Sequence, residues 1–491
     1  MNYIHTRLFL LFSLAANGTI GQNIFTKVTD GAVVNTPADS RSINWADVNG
    51  DGWDDLFIST GPKTGQNNLL YINNKNGSFI ALTNDPIVQD SSPSDGATFA
   101  DADNDGDLDA FVVTWYGKPN FFYRNKGNGT FEHDTTALTA NFGTYSETAA
   151  WGDYDNDGLV DIYITNSEGS KRNLLYHNKG NNVFERITND EWLNEMDVSR
   201  CTNWIDYDND GDQDLFVTNE SNQPNDLYRN DGKGQFTKIT EGDLVESERG
   251  SMSASWGDVD NDGDFDVFIA NADYFKEKDN QLFINNGNGT FTEILTGTII
   301  SDGGCSYGSA FGDVDNDGDL DLAVANGFCT GAMKTFLYLN DGQGNFQRAN
   351  ESPDTPCSFG LALADYDNDG FLDLAIATCK NSDASPLPTN LLYHNNGNQN
   401  NWLKIKLEGT QSNRSAIGTK IRVKATINGK SIWQMREISA QSGYCGQNSL
   451  TAHFGLGKAK KVDEIIVEWP SGKRQTVKKQ KANQLLKIVE K

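Results

Sequence analysis

The chain has 491 residues, with 68 acidic against 40 basic side chains, a formal net charge of -28, 48 glycines and only 11 prolines. So anionic a surface excludes a nucleic-acid partner, which needs clustered Lys and Arg for the phosphates. A content of 37% hydrophobic and 11% aromatic residues excludes a disordered acidic tail, and the length fits one large repeat architecture plus an appendage.

Residues 1–21 read as an export signal. Arg7 supplies the positive end, Leu8 to Ala16 the apolar run, and Thr19-Ile20-Gly21 a small-residue cleavage site before Gln22. The run is too short to span a bilayer and no later stretch is longer, so no transmembrane segment is expected. The mature chain is expected to be secreted, periplasmic or cell-surface associated. Disulfides are permitted there, but Cys201, Cys305, Cys329, Cys357, Cys379 and Cys445 show no CxxC spacing, and their pairing stays open.

From residue 22 to 400 one acidic nonapeptide recurs seven times, with spacings between first aspartates of 54, 52, 53, 52, 55 and 52. Its positions 1, 3, 5 and 9 are Asp47, Asn49, Asp51 and Asp55 in the first copy, and Asp101, Asp103, Asp105 and Asp109 in the second. The third and fourth carry Asp153, Asp155, Asp157 and Asp161, then Asp206, Asp208, Asp210 and Asp214. The fifth carries Asp258, Asp260, Asp262 and Asp266, the sixth Asp313, Asp315, Asp317 and Asp321, and the seventh Asp365, Asp367, Asp369 and Asp373. Position 6 is always Gly. An apolar residue, usually aromatic, stands two before each first Asp (Trp45, Phe99, Trp151, Trp204, Trp256, Phe311, Leu363) and is expected to pack between repeats.

Each repeat continues with an alternating β-branched run, a second apolar segment and, in most copies, a Phe-led segment. Four short strands per repeat of this length predict an all-β, seven-bladed β-propeller. The seventh copy lacks its Phe-led strand, whereas Phe25-Thr26-Lys27-Val28-Thr29 stands spare before the first. Residues 25–29 are therefore expected to complete the last blade.

Four carboxylates this close repel one another unless a cation lies among them. Asp or Asn at 1, 3 and 5 with Gly at 6 is the arrangement of the first half of an EF-hand loop, and oxygen donors without His or Cys favour calcium. About seven structural calcium sites are expected, and 27 of the 68 acids would be their ligands.

The loops with their flanking strands resemble FG-GAP/VCBS-type repeats, the calcium-binding blades also seen in integrin α-subunit propellers. Residues 401–491 alternate apolar and polar residues, as in Leu403-Lys404-Ile405-Lys406-Leu407, and read as a small β domain. This stretch is similar to the ASPIC/UnbV domain through Asn401-Trp402-Leu403, Ser412-Asn413-Arg414-Ser415-Ala416-Ile417-Gly418, Arg436-Glu437, Gly443-Tyr444, His453-Phe454-Gly455-Leu456-Gly457 and Val467-Glu468-Trp469-Pro470-Ser471-Gly472. Together they resemble an exported bacterial member of the cartilage-acidic-protein-like group. Cys445 departs from the family, which commonly has a small residue there.

Charge divides the two regions. Residues 401–491 hold 18 basic and 6 acidic side chains, a balance of +12, against -41 for residues 22–400. The tail is expected to dock on the ring or on an anionic envelope or polysaccharide. Loops on the face opposite the calcium loops carry Trp115, Tyr116, Tyr274 and Phe275, which suggest contact with an extracellular protein or glycan ligand. The expected function is an exported calcium-binding adhesion or ligand-binding module. The alternative is an exported enzyme acting on an envelope glycan or small molecule at the propeller channel or the domain junction. No catalytic motif is present, and a polar junction pocket enclosing His453 and Arg436 would favour that alternative.

Overall fold

The computed structural model describes residues 23–491 except 136–142, 182, 274–275, 329–333, 351–352, 354, 356, 381 and 383–384. The export signal, Tyr274, Phe275 and Cys329 lie outside the described residues.

Each acidic loop joins a seven-residue strand to a six-residue strand that starts at position 9. The first strands are Ser40–Ala46, Ser94–Ala100, Ser146–Gly152, Ser199–Ile205, Ser251–Gly257, Ser306–Gly312 and Ser358–Ala364. In every pair the residue ending the first strand faces the position 9 aspartate, as Ala46 faces Asp55 and Ala364 faces Asp373. With two further antiparallel strands each, these form seven sheets of this kind among the described residues. The first strands neighbour one another in cyclic order, so the sheets form an all-β, propeller-like ring with these strands around a central channel. We number the sheets, or blades, 1 to 7 in chain order.

Phe25–Lys27 pairs with Leu391–Asn395, with Phe25 opposite Asn395, and supplies the outer strand of blade 7. The residues two before each loop fill the space between blades. Trp45 of blade 1 stacks on Tyr366 of blade 7 with centroids 6.0 Å apart, and Trp204 of blade 4 on Tyr154 of blade 3 at 6.0 Å. All seven are buried except Trp256, which is half-buried.

The carboxy-terminal region has a three-stranded sheet of Asn401–Glu408, Ala452–Gly457 and Leu485–Val489, and a four-stranded sheet of Lys420–Ile427, Lys430–Glu437, Lys461–Glu468 and Arg474–Lys481. It lies on the face of the ring that carries the acidic loops. No helix among the described residues is long and apolar enough to cross a membrane.

Between its strands the region sends the segment 438–449 into the channel. Thr98 Oγ1 donates to the Ala440 carbonyl at 2.8 Å, Asn203 Nδ2 to that of Gln441 at 3.1 Å, and Ser255 Oγ to that of Ser442 at 2.9 Å. The Ile43 N–H donates to the Cys445 carbonyl at 3.1 Å, and Gly446–Gln447 pairs in parallel with Ser40–Ala46. Backbones approach closely here. A Cβ on Gly443 would meet the Ser309 carbonyl oxygen at 2.1 Å, and one on Gly446 the Leu361 oxygen at 2.3 Å, so only glycine fits. The propeller channel, one of the two places considered for an enzyme site, is filled by the chain itself.

Candidate metal centres

The acidic loops are shaped by their own backbone. Position 4 takes a left-handed conformation, Gly50 in the first loop and Asn104, Asn156, Asn209, Asn261, Asn316 and Asn368 in the others. Asn tolerates that region better than other residues with a Cβ. The turn aims the N–H of position 6 at the first aspartate, as Gly52 N–H does at Asp47 Oδ2 (3.0 Å) and Gly370 N–H at Asp365 Oδ2 (2.9 Å). The position 9 carboxylate closes the loop. Asp55 Oδ2 accepts from Val48 N–H at 3.1 Å and Oδ1 from Asn73 N–H at 2.7 Å, tying loop to third strand.

That asparagine is a residue whose role the sequence hides among turn residues. Asn73, Asn125, Asn178, Asn230, Asn285, Asn340 and Asn395 each end the third strand of a blade. Each donates through Nδ2 to the carbonyl at loop position 2 of the preceding blade: Tyr366, Val48, Ala102, Tyr154, Tyr207, Val259 and Val314, at 2.7 to 2.8 Å. The latches run once round the ring, and Asn73 to Tyr366 joins first blade to last.

The carboxylates converge. Donor atoms of Asp101, Asp103 and Asp109, and those of Asp153, Asp155 and Asp161, lie within 4.8 Å of one another, a spacing that could hold a metal ion. Burial, with the neighbouring carboxylates adding to it, pushes Asp55, Asp109, Asp153, Asp266 and Asp373 up to about 8. Several buried oxygens have no hydrogen-bond partner: Asp153 Oδ1, Asp161 Oδ2, Asp206 Oδ1, both oxygens of Asp258, and Asp365 Oδ1. Unpartnered buried carboxylate oxygens are costly, and a cation among them removes that cost. The donor set therefore fits a hard divalent ion.

The carboxy-terminal region meets these loops with its cations. Lys404 Nζ lies 2.5 Å from Asp365 Oδ2, Lys406 Nζ 2.8 Å from Asp47 Oδ2, Lys420 Nζ 2.5 Å from Asp206 Oδ2, and Arg414 Nε 3.9 Å from Asp101 Oδ2. Each contact is to the first aspartate of a different blade. In blades 4 and 7 the lysine uses the oxygen that also takes the position 6 N–H, and the other oxygen stays free for an ion. Arg436 is flanked by Asp313 and Asp258, which oppose the lowering that burial imposes on its guanidinium. The tail thus docks on the ring by charge. Sequence predicts opposite signs but not which lysine meets which loop.

The domain junction holds a chamber of about 150 Å³, lined by Trp204, Trp256, Phe311, Arg436, Glu437 and His453 among others. Burial pushes Glu437 up to about 8, with Asp206 adding to it, and holds His453 neutral, down at about 3. His453 Nε2 lies 3.1 Å from the Gly370 carbonyl oxygen, so that nitrogen carries the proton and donates.

On the opposite face, Trp115 and Tyr116 are half-buried and packed, not free-standing as expected of exposed loop aromatics. Trp115 Nε1 donates to Glu147 Oε1 at 2.9 Å, and its ring meets Tyr116 and Tyr145 edge-on at 4.7 and 5.1 Å. Glu147, on an inner strand, draws the indole inward. It also accepts from the plug residue Tyr444, at 2.7 Å, and pairs with Arg200 at 2.6 Å. Arg200 and Glu220, themselves paired, contribute to the wall of a polar cleft of about 420 Å³, rimmed by Lys171, Asn222 and Asp273. Cys357 and Cys379 form a disulfide at this face, Cys305 is also disulfide-bonded, and Cys201 and Cys445 are buried free thiols.

The FG-GAP-like repeat model matches residues 47–112, 103–164, 153–217, 206–269 and 266–324, and the ASPIC and UnbV model residues 409–491. Cartilage acidic protein 1 of Xenopus tropicalis is 25% identical over 498 residues, covering 80% of this chain and 74% of that protein. The Mus musculus protein of the same name is 24% identical over 339 residues, and the Homo sapiens one 25% over 326. These matches span 43% and 39% of the length of the two mammalian proteins.

Proposed function

The chain belongs to the FG-GAP-like repeat family and ends in an ASPIC and UnbV domain, and from that premise we propose that it is an exported, calcium-stabilised module that binds an extracellular protein or glycan. Each of the seven loops would hold one calcium ion through positions 1, 3, 5 and 9. The observation that carries the binding site is the plug: with the tail over the loop face and residues 438–449 in the channel, the polar cleft of about 420 Å³ on the other face is left for a ligand. Its lining of Ser, Asn, Asp, Glu, Lys and Arg suits a hydroxyl-rich or charged partner. The basic edge strand Arg474–Lys481 would add contact with an anionic envelope.

At the affinities of extracellular modules, about 0.1 to 1 mM, about 1 mM calcium stabilises each site by roughly 0.4 to 1.4 kcal/mol. Over seven loops this sums to about 3 to 10 kcal/mol, comparable with a domain's whole stability. Melting with and without EDTA, with metal counting of the mature chain, tests the calcium assignment; an unchanged melt and no bound calcium refute it. A panel of extracellular glycans and proteins tests the cleft. Lys171→Glu is expected to abolish a hit that survives Lys406→Glu on the loop face, and the reverse result refutes the assignment.

The chamber enclosing Arg436, Glu437 and His453 favours a second function, an exported enzyme acting on an envelope glycan or small molecule at the junction. Glu437, held protonated, would be its acid. Turnover abolished by Glu437→Gln supports that function, and a wild type inert toward a substrate panel refutes it.

A further inference from the structure

Two of the seven loops have an imidazole beside their carboxylates, and we propose that these loops, of blades 3 and 7, take a first-row transition divalent ion, with zinc the fitting probe, through His177 and His394. This rests on the loops holding cations at all, and it changes which cation two of them select.

The residue before the latch asparagine stands over the loop of its own blade. It is Ile72, Arg124, Arg229, Ile284 and Leu339 in five blades, and His177 and His394 in blades 3 and 7. The same two loops lack an acid at position 7, as does the loop of blade 1, which has Trp53 there. Leu159 and Phe371 stand there, where blades 2, 4, 5 and 6 have Asp107, Asp212, Asp264 and Asp319. In blades 3 and 7, unlike blade 1 with its Ile72, an imidazole stands over the loop that lacks this carboxylate.

Both rings face the cation site. His177 Nδ1 lies 3.0 Å from Asp161 Oδ1 and 3.6 Å from Asp155 Oδ2; His394 Nδ1 lies 3.3 Å from Asp373 Oδ1 and 3.3 Å from Asp367 Oδ2. Ligands about 2.0 to 2.1 Å from one ion are separated by about 2.8 to 3.4 Å between adjacent positions of octahedral or tetrahedral arrangements. Three of the four spacings fall in this range and the fourth, 3.6 Å, is slightly wider, so together they suit shared coordination. Donor atoms of Asp155, Asp157 and His177, and of Asp367, Asp373 and His394, lie within 4.8 Å of one another. A second observation points to an ion. Asp153 Oδ1 and Asp161 Oδ2 have no hydrogen-bond partner, although both side chains are 0% exposed and their carboxylates converge with Asp155. Asp365 Oδ1 is likewise unpartnered, on a residue 6% exposed. Each imidazole packs against the tyrosine at position 2 of its loop, Tyr154 at 5.9 Å and Tyr366 at 6.5 Å between centroids. Imidazole nitrogen shifts preference from calcium toward zinc and its neighbours, whereas the all-oxygen loops keep the preference for calcium.

The mature full-length chain is equilibrated with 1 mM-range calcium and micromolar zinc chloride, desalted, and its metals counted; zinc-edge anomalous scattering then locates the zinc. Two zinc ions per chain, in blades 3 and 7, are expected. His177→Leu and His394→Leu, which reproduce the Leu339 of blade 6, should each remove one zinc, lower its affinity by more than about 100-fold, and leave calcium to fill that loop. Calcium content and melting temperature report that the variants are folded. Calcium in all seven loops despite zinc, or two zinc ions retained by the double variant, overturns the inference while leaving the calcium assignment intact. Zinc in two loops with calcium in none supports the inference and overturns the calcium assignment.

Discussion

Replacing Lys404 by Met tests how the tail is held. The ammonium lies 2.5 Å from Asp365 Oδ2 and 2.5 Å from Asn368 Oδ1, with the two charged side chains only 7% and 2% exposed. Met retains most of the stem and removes the charge, so Asp365 loses a buried partner. Breaking a buried pair in this way costs about 3 to 5 kcal/mol, or roughly 140- to 3,700-fold in an opening equilibrium. With a calcium ion on the loop, Asp365 keeps a counter-charge, and the cost should fall toward that of one charged hydrogen bond, about 1.5 to 3 kcal/mol. Lys406, 42% exposed and paired with Asp47, is the internal control, worth about 0 to 1 kcal/mol. The assay is amide hydrogen exchange in Asn401–Glu408, in EDTA and in calcium. Lys404→Met should accelerate exchange by the larger factor in EDTA and by a smaller one in calcium. Exchange within threefold of wild type in EDTA, or equal effects for the two lysines, would refute the reasoning.

Asn178→Ala should lower the melting temperature strongly. Asn178 is 0% exposed and bonds the carbonyls of Ala102 and Val160 at 2.8 and 3.0 Å, and each buried carbonyl left unsatisfied costs about 1 to 3 kcal/mol; an exposed asparagine such as Asn288 gives the baseline. Deleting residues 22–30 removes the strand paired with Leu391–Asn395 and should also lower the melting temperature, whereas an unchanged melt would show that ring closure does not depend on it. Glu490 accepts from the N–H groups of Thr410, Gln411 and Ser412, at 2.7 to 2.8 Å, and its hydrogen bonds to these and Ser471 hold it down at about 2. Its folded value lies below its ordinary 4.5, so its stabilisation is complete above about pH 4.5 and is lost as pH falls toward 2. Glu490→Gln should lower stability at neutral pH and flatten acid denaturation in that window.

The ring was legible because its chemistry repeats. Position 6 must be glycine, and the position 9 carboxylate takes the N–H at the end of the third strand in every blade and that of position 2 in six of the seven, so each loop keeps its spelling, and strand lengths follow between them. The latch asparagines recur in every repeat but read as turn residues, since the partner of each amide is a backbone carbonyl of the neighbouring blade, which no side chain marks. His177 and His394 are hidden for a related reason: the metal-ligand spacing is written within the nonapeptides, whereas the imidazoles come from a strand about twenty residues on. Lys404, Lys406 and Lys420 alternate along strands like any solvated lysines, and only the placement of the tail turns them onto Asp365, Asp47 and Asp206. Trp115 misled because an aromatic beside Tyr116-Gly117 looks exposed until Glu147, thirty-two residues later, is found beneath it.

The plug makes the two regions modular in sequence but not in assembly. Inner-strand donors such as the N–H groups of Ile43, Phe99 and Leu363 find acceptors on residues 445–448. Those residues are synthesised after all seven blades. Until they arrive, an assembled ring keeps an unlined bore, and once they are seated the tail leaves the ring only by breaking these hydrogen bonds. The last fifth of the chain therefore acts as a late-arriving folding core for the first four fifths, and neither region is expected to survive transplantation to another protein as an independent cassette.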